Sequence, residues 1–245
     1  MKRILAILLL SILSCSPRFQ GMRALLDDPE NIIISFDSTY LGYVPVMEQF
    51  RAQDTNLVDS TGIIVFTGSS SIRMWKTMVT DLDTLPYQIL NHGFGGSTLP
   101  QVNYFFDDLI TPYQPEIVVL YCGENDITDG YKAKDVLASF RTFLRLLLIK
   151  SPSSKVLYVS MKPSPARWAL WPEFEKGNQM IDRFIRRLNN PDIQFLDIGP
   201  SMLDSISHYP ISTIFTQDSL HMNADGYVRW QKEIIPKINE LDCNQ

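Results

Sequence analysis

Cysteine is scarce in this chain, with three in 245 residues: Cys15, Cys122 and Cys243. That is too few for a disulfide framework, and no CxxC pair or Cys/His cluster has zinc-site spacing. Histidine is as rare, so any imidazole chemistry must use His92, His208 or His221. There is no Lys/Arg run, and 22 basic against 27 acidic residues give a formal net charge of −5. That balance argues against nucleic acid as a partner. Neither a GxSxG elbow nor a GxxxxGK[ST] phosphate loop occurs. Beyond residue 14 no apolar stretch can span a bilayer, since the longest, 143–149, is broken by Arg145.

What is present is globular, with 45% hydrophobic and 20% charged residues. Met1-Lys2-Arg3 is a short positive start, followed by ten residues, 4–13, that are apolar except for Ser11. This stretch is too short for a spanning helix and reads as the core of a signal peptide. It closes in Ile12-Leu13-Ser14-Cys15, which resembles the lipobox of bacterial lipoproteins, with Ile at a position where Leu is usual. The resemblance implies cleavage before Cys15 and lipidation of its thiol; Ser16, rather than Asp, fits the outer membrane. Several acyl chains, each contributing ~0.8 kcal/mol per buried CH₂, would hold the protein to a membrane. The expected organisation is a signal peptide over 1–14, a lipid-anchored tether over 15–45 and one folded domain over 46–245, placed in the bacterial cell envelope.

Short apolar runs at 63–66, 87–90, 116–121, 155–160 and 193–198 predict five strands. Helical periodicity is expected over 72–81, 132–150, 174–188 and 223–240, the last capped by Asn223. The turn Asn91-His92-Gly93 is expected to close the second strand. Strands alternating with helices predict an α/β fold with a doubly wound, mostly parallel five-stranded sheet. Such sheets bind ligands at the carboxyl ends of their strands.

Chemistry-bearing residues stand there. Gly68-Ser69-Ser70-Ser71 follows the first strand, where a glycine turn can expose a hydroxyl at a helix start; a simple N-cap is the plainer reading. Gly93-Phe94-Gly95-Gly96-Ser97 follows the second and permits close backbone approach to a ligand, or only a tight turn. Gly123-Glu124-Asn125-Asp126 follows the third, offering an Asn donor or an Asx-turn. Asp218-Ser219-Leu220-His221 precedes the last helix; its carboxylate can fix the imidazole tautomer and leave Nε2 as a base, or merely build a polar turn. Together these supply a nucleophile, oxyanion donors and an oriented base.

In these four blocks the chain resembles the SGNH, or GDSL-type, hydrolases, over about residues 45–240. The resemblance implies a flavodoxin-like three-layer α/β/α sandwich and a serine esterase. It assigns Ser70 as nucleophile, with Ser69 at the family's usual Asp position. It assigns Gly96, Asn125 and the Ser70 N–H to the oxyanion hole, Asp218 as orienter and His221 as base. Met222 stands where the family often has Pro. No cofactor or metal is expected. His92 and His208 read as structural or peripheral, Trp75 as core and Cys122 as a buried thiol. The loop 161–173 carries Arg167, Trp168 and Trp171, which could wall a pocket or simply anchor the loop. Expected partners are a small-molecule or glycan ester and, through the anchor, a membrane. Short acyl groups, acetyl on a carbohydrate first, are the expected substrates, and lysophospholipid comes second. A non-catalytic binding lipoprotein and a flavin binder are the rival readings.

Overall fold

All five apolar runs become strands: β1 Ile63–Gly68, β2 Gln88–Gly93, β3 Ile117–Tyr121, β4 Lys155–Val159 and β5 Ile193–Leu196. The computed structural model describes residues 34, 36–54, 57 and 62–243, so Cys15 and the expected signal peptide lie outside the described residues. Every strand pair is parallel, in the order β2-β1-β3-β4-β5. This is the flavodoxin-like order, and its crevice opens where the chain reverses direction across the sheet, at β1 and β3.

Helices cover both faces, because strands buried on both sides need apolar cover on each. On one face lie α1 Val44–Gln53, α4 Leu99–Tyr104, α5 Phe106–Leu109, α7 Ala133–Lys150 and α8 Trp171–Leu188. Their side chains, among them Met47, Val102, Phe140 and Ile181, share a core with Val118 and Leu120 of β3. On the other face lie α2 Ser70–Arg73, α3 Met78–Asp81, α9 Gly199–Met202 and α10 Ala224–Cys243. There Trp75, Trp230 and Ile234 pack on Ile117, Val119 and Tyr121. The period of two along β3 thus feeds both cores. A short helix, α6 Glu124–Thr128, stands at the edge between β3 and α7.

Three expectations change in detail. The helix over 72–81 is two short helices, because the Asn91 amide takes the carbonyls of Ile72 at 2.8 Å and Trp75 at 3.4 Å. Asp81 then gathers the Trp75 indole N–H at 2.6 Å and the Thr77 hydroxyl at 2.7 Å. Asn91-His92-Gly93 is strand rather than closing turn, paired with Phe66, Thr67 and Gly68 of β1. Polar residues persist there because each finds a partner. Finally, α8 begins at Trp171, preceded by a 3₁₀ helix at Pro165–Leu170. Pro172, a sign of loop in the sequence, is tolerated in the first helical turn.

Part of the expected tether also packs on the body. A 3₁₀ helix at Ser38–Tyr43 leads into α1, and Tyr40 and Met47 are buried in the first core. Cys122 is buried and Cys243 exposed, both as free thiols.

Candidate active site

The site is built from the carboxyl ends of β1, β2 and β3 and the turn before α10. At the end of β1, Gly68 has φ +120°, and a Cβ there would meet the Tyr121 carbonyl oxygen at 1.9 Å. Only glycine fits, and it allows the chain to turn sharply beside β3. The Ser69 N–H then donates to that carbonyl at 3.0 Å, and α2 starts at Ser70. Ser70 is part-exposed, whereas Ser71 is buried at 1% exposure.

The base arrives from the other end of the chain. The His221 ring has Nε2 2.8 Å from the Ser70 Oγ and Nδ1 2.6 Å from Asp218 Oδ2. Its segment is not helical: Ser219 takes φ +56°, and the Ser219 N–H donates to the Thr216 carbonyl at 2.9 Å. The other oxygen of Asp218 accepts from the N–H groups of Leu220 and His221, each at 2.9 Å, and from the Thr216 hydroxyl at 2.7 Å. The polar turn and the oriented imidazole are therefore one structure rather than alternatives. Desolvation pushes the Asp218 pKa upward, but the hydrogen bonds from the His221 ring and these neighbours outweigh it and hold the carboxyl well below its usual range. With Nδ1–H given to Asp218, Nε2 presents its lone pair to the Ser70 hydroxyl.

Two backbone donors and one side chain face the same edge. The N–H groups of Ser70 and Gly96 have no protein acceptor among the described residues. Gly96 is exposed, with φ +79°. Asn125, in the first turn of α6, donates one Nδ2 hydrogen to the Ser97 carbonyl at 2.9 Å, and its Oδ1 accepts from Arg167 Nη2 at 2.9 Å. The second Nδ2 hydrogen is left over. The Gly95 carbonyl accepts from the Tyr43 hydroxyl at 3.2 Å, which ties the N-terminal segment to this loop.

Asp126 secures the same loop from behind. Its oxygens accept the Leu99 N–H at 3.1 and 3.2 Å, at the start of α4. Burial pushes its carboxyl up to about 7, partly offset by the Leu99 N–H. The folded chain then keeps a proton that the unfolded chain releases near pH ~4, so stability falls as pH rises from about 4 through about 7. Asp126→Asn keeps an oxygen for Leu99 without the charge. It should gain several degrees of Tm on the wild type at pH 8 and lose most of that gain at pH 4.5. A difference in Tm that stays constant with pH would contradict this.

Sequence reasoning missed three features. Beneath the site, Lys162 Nζ lies 3.1 Å from Glu124 Oε1, with both side chains at least 96% buried, and the Tyr121 hydroxyl donates to Glu124. Burial pushes the Lys162 ammonium pKa down, and the Glu124 carboxylate opposes it. Removing one partner of such a pair costs about 3–5 kcal/mol. The only signal was position: Glu124 stands in the block after β3 and Lys162 follows β4. His92, read as structural or peripheral, has Asp54 at 2.8 Å on Nε2 and the Leu109 carbonyl at 2.8 Å on Nδ1. It is structural, stacked on Phe50. Third, Arg167 reaches Asn125. His208 lies exposed in a surface turn, with φ +54°. Among the described residues no group of three or more His, Cys, Asp or Glu could hold a metal ion.

A model of the GDSL-like lipase/acylhydrolase family matches residues 64–229. The chain belongs to that family. That family's activity class is ester hydrolysis, and the fold here is the α/β sandwich the sequence predicts. A GDSL-like lipase from Bacteroides thetaiotaomicron superposes with TM-score 0.64 at 20% identity, covering 82% of this chain and 97% of that one. A catalytic mutant of an acetylxylan esterase from Geobacillus stearothermophilus superposes with TM-score 0.58 at 13% identity, covering 75% and 95%. A curated N-acylneuraminate cytidylyltransferase of Escherichia coli O18:K1:H7 is 24% identical over 184 residues, 73% of this chain; the chain spans 41% of that relative's length.

Proposed function

We propose that the protein is a serine esterase that removes short acyl groups, acetyl foremost, from carbohydrate esters through an acyl-enzyme. The observation that carries the serine mechanism is the single imidazole bridging Ser70 Oγ at 2.8 Å and Asp218 at 2.6 Å. His221 Nε2 takes the Ser70 proton as Oγ bonds to the ester carbonyl carbon. The carbonyl oxygen becomes an oxyanion, met by the N–H groups of Ser70 and Gly96 and by the spare Nδ2 hydrogen of Asn125. The carbon–oxygen bond to the alcohol then breaks, and His221 gives its proton to the leaving oxygen. A water, deprotonated by the same nitrogen, attacks the acyl-enzyme and frees the acid and Ser70.

The acyl preference is supported by the wall formed at Pro165–Leu170. That segment is a 3₁₀ helix tied to the histidine turn by the Ala166 N–H donating to the Ser219 carbonyl at 3.0 Å. A short, tied wall of this kind is no continuous apolar lid for a long alkyl chain. The Trp168 ring lies 6.0 Å from that of Trp171 and 5.1 Å from that of Tyr209, an aromatic group that suits the face of a sugar. The acetylxylan esterase among the structural relatives acts on an acetylated glycan, which favours the same class.

A chain-length series of chromogenic esters, run beside acetylated sugars, tests this. The kcat/KM for acetate should exceed that for a sixteen-carbon ester, and the reverse order would sink the short-acyl reading. The proposal includes lipid attachment at Cys15 in the cell envelope. Cys15→Ala should abolish palmitate labelling, and a wild type that takes up no label would refute the anchor.

A further inference from the structure

Arg167 carries more donors than the protein uses. Of its five guanidinium N–H groups, Nη2 alone is engaged, at 2.9 Å from Asn125 Oδ1. Among the described residues it has no ion-pair partner. The buried Lys162 ammonium, which Arg167 makes harder to protonate, is already paired with Glu124. The side chain is half-buried, on a segment stitched to the turn that carries His221. The leaving oxygen must receive its proton from His221, so the alcohol part of the substrate lies on this side.

A second guanidinium stands beside the loop after β2. Arg73 lies one turn after Ser70, and a Cβ on Gly95 would come within 2.8 Å of its Nε. It therefore lies over the loop that leads to Gly96. It is exposed and likewise has no ion-pair partner among the described residues. Two unpaired guanidinium groups flank one site in a chain of net charge −5, so the positive rim is local. A guanidinium fork matches a carboxylate in geometry as well as charge.

We propose that Arg167 binds a carboxylate on the alcohol side of the substrate, with Arg73 adding positive charge at the rim, so that the preferred esters are those of an acidic sugar or other carboxylate-bearing alcohol. This rests on the esterase reading and narrows its substrate class. Bound this way, the carboxylate draws on Arg167 while Arg167 keeps hold of Asn125, so substrate seating and oxyanion geometry share one side chain.

The test is a matched pair, 3-acetoxybenzoate and its methyl ester, which differ in the charge of one substituent. Wild type should favour the anion in kcat/KM by about tenfold or more, mainly through KM. Arg167→Gln should bring that ratio close to one, Arg167→Lys should leave part of it, and Arg73→Gln should reduce it. The neutral ester is the internal control, because its turnover by wild type stands or falls with the esterase reading itself. A wild type that hydrolyses the methyl ester as well as or better than the anion overturns the inference and leaves the esterase reading intact. So does Arg167→Gln lowering both esters by one common factor, which would mean that Arg167 acts only through Asn125.

Discussion

Ser70→Ala should abolish labelling by a fluorophosphonate probe and cut ester turnover by roughly 10⁴-fold or more, while Ser71→Ala keeps both. The two hydroxyls are neighbours in sequence but not in environment. Ser70 opens α2 with its Oγ against His221 Nε2, whereas Ser71 is buried, its carbonyl accepting the Tyr227 hydroxyl at 2.9 Å. One step along a helix start turns a side chain by about 100°, enough to move it from cleft to core. Alanine keeps the backbone carbonyl, so Ser71→Ala should cost only the buried hydroxyl's hydrogen bond to Tyr121, ~1 kcal/mol of stability, and not reactivity. His221→Ala should be nearly as severe as Ser70→Ala, since the two act as a unit. Labelling that survives in Ser70→Ala and vanishes in Ser71→Ala would shift the assignment by one residue. A wild type that takes up no probe would remove the serine mechanism altogether.

Asn125→Ala should lower kcat by about 10²–10³ with a much smaller change in KM, as expected for a donor that meets charge only in the transition state. Alanine also strands two groups, the Ser97 carbonyl and the Arg167 guanidinium, so some loss of Tm should accompany it. Asn125→Asp separates the two effects. A carboxylate keeps the shape and gives Arg167 a charged partner, so thermal stability should be retained better than with alanine. Yet it has no hydrogen to offer the oxyanion and adds a like charge beside it, so kcat should fall at least as far as in Asn125→Ala. An aspartate variant with near wild-type kcat would remove Asn125 from the oxyanion hole.

The strands and the chemistry-bearing blocks were legible for one reason: both are local in sequence. Four or five consecutive apolar residues suffice to announce β1, β3 and β4, and the Asp218–His221 turn is complete within four residues. What escaped the sequence is long-range. Nothing near Asn91 reveals that its amide will take the Ile72 and Trp75 carbonyls and break a helix, 19 and 16 residues away. Nothing near His92 reveals Asp54, 38 residues upstream. Glu124 and Lys162 meet only because β3 and β4 are neighbours in the sheet, and Arg167 meets Asn125 by the same adjacency. Periodicity over 72–81 was genuine, but tertiary hydrogen bonds overrode it. The lipobox reading of Cys15 falls outside the described residues.

Ser70 and His221 stand 151 residues apart, while Asp218 and His221 stand three apart. A chain made from its N-terminus acquires its hydroxyl early and its imidazole late. The Asp218–His221 turn leads straight into α10, whose start is held by Asn223 accepting the Gly226 N–H at 3.2 Å and whose Trp230, Ile234 and Ile238 fill the second core. Docking of that final helix is thus what delivers a base to Ser70. On the proposed mechanism, the growing polypeptide carries an inert hydroxyl through most of its length, and its activation waits for the last helix to settle.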